Sequence, residues 1–92
     1  MALVCRSMAS VDDVVDGVIT LDYEAVALSV VNKSSIPLKF KIFQPTINRD
    51  FIGTISDIPL NELRLNKFTS IEILENSNAF QMTFFVDQQA ML

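Results

Sequence analysis

Ninety-two residues, 50% hydrophobic and 20% charged, suffice for one small domain that hides about two thirds of the surface its unfolded chain exposes. A net charge of −4 argues against a surface built to neutralise nucleic-acid phosphates. The lack of histidine, with a single cysteine (Cys5), excludes His-based triads, the usual zinc sites and an internal disulfide.

The N-terminal run "MALVCRSMAS" is apolar only briefly and is broken by Arg6, so it does not read as a secretory signal. Residues 1–12 are expected to form a loosely ordered lead, with one domain over 13–92. One unpaired cysteine suits a reducing compartment, so a cytoplasmic location is expected. The next run, "SVDDVVDG", gathers Asp12, Asp13 and Asp16, but their spacing matches no complete calcium loop. Asp16-Gly17 reads as a turn or bulge instead. No metal or cofactor is expected, and no glycine-rich phosphate loop is present, since Gly17 and Gly53 are the only glycines.

Strand signals then follow in short runs rich in Val, Ile, Phe and Thr: 14–21, 25–31, 37–43, 51–55, 68–74 and 79–86. Side chains alternate along a strand. In "PLKFKIF" this turns Leu38, Phe40 and Ile42 to one side and Lys39, Lys41 and Phe43 to the other. Ile71 and Ile73 oppose Glu72, and Phe80, Met82 and Phe84 oppose Gln81 and Thr83, the pattern of sheets with one packed face and one wet face. Residues 32–35 and 75–78 are the clearest turns. Between the strands, "SDIPLNELRLNKF" fits neither period. Ser56 or Asp57 capping a short helix with Pro59 in its first turn is one reading, and an irregular edge strand is the other. Six to seven short strands predict an all-β fold, a small immunoglobulin-like antiparallel sandwich, with a jelly-roll fragment or small barrel as the competing architecture.

Charge is unevenly placed. Residues 33–49 carry Lys33, Lys39, Lys41 and Arg49 between two acidic segments, an arrangement suited either to head-to-tail assembly or to charge pairing across neighbouring strands. Apolar residues also exceed the needs of one small core: Phe43, Phe51, Phe84, Phe85 and the tail Ala90–Leu92 are candidates for an interface. Phe85 is expected to meet a partner or to be covered by the N-terminal lead.

The segment from Asn32, "NKSSIPLKFKI", brings Phe40-Lys41-Ile42 eight positions beyond the asparagine, with Arg49 and Phe51 following. Over residues 28–51 the chain resembles the major sperm protein family. That resemblance implies a seven-stranded immunoglobulin-like sandwich that binds peptide motifs or self-assembles and catalyses nothing. In the motif-binding face of that family Lys41 would take one basic position. Phe43 and Gln44 depart from the second lysine and the threonine expected there, which weakens any implied reading of acidic peptides. The chain is shorter than a typical module of the family, so an edge strand is expected to be missing or supplied by a partner.

The expectation is therefore a non-enzymatic interaction or structural module that self-associates or binds a protein partner through a sheet edge or apolar face, without nucleic acid or a membrane span. Lys39, Lys41 and Phe43, with Phe85 and Met91, are the candidate contact residues. A small viral structural or accessory protein and a lipid-binding sandwich are the alternatives.

Overall fold

A computed structural model describes residues 2–56 and 60–91, the last two by backbone alone. The fold is all-β, as the alternation predicts. Six strands, β1 (Leu3–Ser10), β2 (Val18–Asn32), β3 (Leu38–Gln44), β4 (Arg49–Ile55), β5 (Leu60–Glu75) and β6 (Phe80–Asp87), join in one antiparallel sheet of order β1-β6-β2-β5-β3-β4. Among the described residues, no helix is long and apolar enough to cross a membrane, and the only helical turns are two short 3-10 segments.

A sheet with no helix to cover it must bury its apolar face against itself. β2 shows how. Its fifteen residues would extend over roughly 46 Å if straight, yet the molecule is only 38 Å in its longest dimension. The strand bends, and its pairing with β5 shifts register between Thr20 and Ala25, between Ala25 and Ala27, and between Leu28 and Val30. A one-residue bulge swaps the two faces of a strand. The core-facing positions accordingly run Ile19, Leu21, Tyr23, Ala25 and then, past the shift that follows Ala25, Leu28 and Val30. The bent sheet closes over one core in which Leu28, Val30, Leu38, Phe40, Ile42, Phe68, Ile71, Met82 and Phe84 are fully buried. Phe68 and Phe84 meet edge to face at 6.4 Å between centroids.

Three polar side chains stitch the bends where the ladder stops. Buried Asn32 donates from Nδ2 to the carbonyls of Ile36 (2.9 Å), Ile55 (2.8 Å) and Ser56 (2.7 Å), and accepts from the Ser34 amide at 3.0 Å. It thus pins the end of β2 to the end of β4, which is not its ladder neighbour. The Asn32-Lys33-Ser34 triplet has the glycosylation pattern, but its amide nitrogen is committed to these bonds. Gln44, also buried, accepts from the Asn66 amide at 2.9 Å and continues the β3–β5 contact by side chain. Ser77 closes the β5–β6 turn by accepting from Ala79 at 3.2 Å.

Several elements differ from the sequence expectation. Residues 3–10, expected as a loose lead, form β1 and pair with β6 from Leu3↔Asp87 to Ser10↔Gln81. The runs at 14–21 and 25–31 are not separate strands: from Val18 onward they are one strand, β2. The ambiguous leucines belong to β5, in the middle of the sheet rather than at its edge, while the helix-capping reading of Asp57 and Pro59 lies outside the described residues. Asp16-Gly17 is a turn as expected. Both residues have positive φ (52° and 78°), and Val15 and Val18 exchange backbone hydrogen bonds at 2.9 and 3.0 Å, the geometry of a two-residue hairpin.

Candidate interaction surface

Strand β3 turns Leu38, Phe40 and Ile42 into the core, and by alternation Lys39, Lys41 and Phe43 face outward. Its neighbours complete that outer face. Ile52 of β4 and Glu72 of β5 flank Lys41, and Val18 of β2 follows, so that Ile52, Lys41, Glu72 and Val18 form one row across four strands. Thr54 lies beside Lys39, and Asp50 beside Phe43. Lys41 Nζ stands 3.1 Å from a Glu72 carboxylate oxygen. The hydrogen bond to Glu72 is the main cause of a lysine pKa raised above its ordinary value, reinforced by the charges of Glu72 and Asp50.

Around this ion pair the apolar residues are open to solvent. Ile52 is 57% exposed, Phe43 46% and Leu74 43%. Leu74 is the extra residue of a bulge: β5 pairs Ile73 with Phe40 but Glu75 with Lys39. Phe51, by contrast, is absorbed into the core, where its ring centroid lies 6.2 Å from that of Phe40.

The fold brings together three of the five sequence candidates. Phe85 lies on β6 in another row, Cys5–Phe85–Ala27–Arg64, flanked by β1 and β2 and half-buried. The N-terminal segment that was one of its two expected neighbours is thus beside it. Met91 ends the 3-10 turn Gln88–Met91, and its side chain lies outside what the structure describes. Sequence reasoning missed Ile52 and Leu74. The sole signal for Ile52 was the alternation of "FIGTI", which is apolar on both faces, and a bulge position leaves none.

An open cleft of about 470 Å³ lies between Arg6, Tyr23, Glu24, Val26, Lys67, Val86 and Asp87. The Arg6 guanidinium sits 5.3 Å over the Tyr23 ring, Tyr23 hydrogen-bonds Ser7, and Lys67 lies 3.8 Å from Glu24. Its two cations and two anions offset one another, and no single charge converges on the cleft. Among the described residues, no three Cys, Asp or Glu side chains are grouped so as to hold a metal ion.

Fold and surface define a small all-β domain with a mixed ionic and apolar outer face. No protein-family model, curated protein or solved structure matches the chain.

Proposed function

We propose that the protein is a non-enzymatic interaction module that associates through the outer face of β3, β4 and β5, a second copy of the chain being its first partner. The observation carrying this reading is the cluster of Phe43, Ile52 and Leu74, each more than two-fifths exposed, around the Lys41–Glu72 pair. Scattered exposed hydrophobes are ordinary on a protein surface. Three on one face, beside a compact ion pair, have the composition of an interface centre.

Sedimentation velocity from micromolar to near-millimolar concentration tests the proposal. The expected result is a mass that rises above 10.3 kDa with concentration, and a Phe43→Ser variant that shifts the rise to higher concentration. A 10.3 kDa species at every concentration would overturn it.

A further inference from the structure

The sheet has two edge strands, β1 and β4, and among the described residues only β1 is guarded along its middle. β1 carries the devices that keep edges from pairing: a bulge between Cys5 and Ser7, and at that bulge a charged residue, Arg6, drawn over Tyr23. β4 has none of these along its middle. Its register with β3 runs unbroken from Leu38↔Ile55 to Gln44↔Arg49, it contains neither proline nor lysine, and its charges, Arg49 and Asp50, stand at one end. Among the described residues β4 pairs with β3 alone, and only its far end is tied elsewhere, through Asn32 to Ile55 and Ser56. In an antiparallel ladder every second residue turns its N–H and C=O away from the partner strand. Residues 50–54 therefore present a regular row of backbone donors and acceptors.

We infer that two copies join by antiparallel pairing of β4 with β4 about a two-fold axis through Ile52, giving a continuous twelve-stranded sheet. The inference rests on the reading above that the chain associates with itself, and it names the geometry. In this register Ile52 meets Ile52 of the second copy, Phe51 meets Gly53, and Asp50 meets Thr54. The most exposed apolar residue of the outer face is thereby covered by its own symmetry mate. The charges agree with the register. Lys39 stands directly behind Thr54, with Glu75 opposite it on β5 but no salt bridge between them, which leaves its side chain within reach, across Thr54, of Asp50 of the second copy, twice by symmetry. Lys41, next to the axis, is already paired with Glu72 and adds no unbalanced charge there.

Disulfide trapping tests the geometry, in a Cys5→Ser background that removes the native exposed thiol. Ile52→Cys puts two thiols on strands whose facing Cα atoms are about 4.5–5.5 Å apart, within the range a disulfide spans. Thr54→Cys sets the thiols four positions out of register, roughly 14 Å apart. The expected result is cross-linking at least about tenfold faster for Ile52→Cys than for Thr54→Cys. A charge exchange adds a second readout: Asp50→Lys weakens the dimer, and Asp50→Lys with Lys39→Asp restores it. Equal cross-linking rates in a protein that sediments as a dimer would overturn the β4 register and leave the association standing. A monomer at all concentrations would overturn both.

Discussion

The ring tip of Phe40 lies 2.5 Å from where a side-chain carbon on Gly53, its partner across the β3–β4 ladder, would stand. Glycine in a strand normally weakens it, and alanine would be expected to gain about 0.5–1 kcal/mol there. Here the sign reverses. Phe40 is fully buried and its ring is hemmed in by the core, so a methyl group at residue 53 forces it out of place, at a cost of about 1–3 kcal/mol. Urea denaturation of Gly53→Ala is expected to show that loss, and the double variant with Phe40→Leu to recover part of it. An alanine variant as stable as the parent would refute the packing argument.

Asn32 gives a second prediction. Among the described residues it is the one side chain that hydrogen-bonds β2 to the end of β4, and its two amide N–H groups are shared among three carbonyl oxygens. Asn32→Ala leaves those acceptors short of a donor and is expected to cost about 2–3 kcal/mol, by the penalty for buried groups left unpaired. Asn32→Asp is worse at neutral pH because it sets a buried carboxylate against the same oxygens. Its folded pKa must rise above the unfolded value of about 3.9, so the folded state holds the proton more tightly. Stability of this variant is therefore greatest below about pH 4 and falls as pH rises toward the folded pKa. Thermal melts across that range check the sign, and a stability that is flat in pH would contradict it.

The parts of the fold legible in the sequence are those where alternation is uninterrupted. In β3 the buried residues Leu38, Phe40 and Ile42, and in β6 Phe80, Met82 and Phe84, fall where period two places them. The outward set Lys39, Lys41 and Phe43 follows from the same rule, as does Glu72 opposite Ile71 and Ile73. Legibility ends at the bulges. In β5 the inward residues run Leu63, Leu65, Phe68, Ile71 and Ile73, changing phase twice, so the leucines fit no single period. In β2, Asp22-Tyr23-Glu24 carries the polar residues of a turn, but the strand continues through it with Tyr23 half-buried against the core. β1 escaped notice because its only buried side chain is small, Ala9, while Cys5, Arg6 and Met8 are exposed. Which edge stays open depends on strand order, and that is a long-range property with no local signature.

The Lys41–Glu72 pair supplies the last prediction. Both side chains are substantially solvated, at 36% and 47% exposure, so the pair belongs to the class that contributes little to stability and is screened by salt. Its signature is sought in titration instead. Glu72 raises the pKa of Lys41 above the usual 10.5 through a hydrogen bond first and through its charge second, with Asp50 adding to the charge. A lysine whose folded pKa is raised holds its proton more tightly in the native state. The stabilising effect is therefore fully present below the unfolded value and is lost as pH climbs through the folded one. NMR titration of the Lys41 side chain is expected to show a midpoint above 10.5 in the parent and a lower one in Glu72→Gln. The stability difference between parent and variant should fade at strongly alkaline pH and at molar salt. A Lys41 midpoint indifferent to Glu72 would mean that the contact does not persist in solution. Lys41 would then stand beside the proposed two-fold axis as an uncompensated charge, and the β4 dimer should strengthen in high salt.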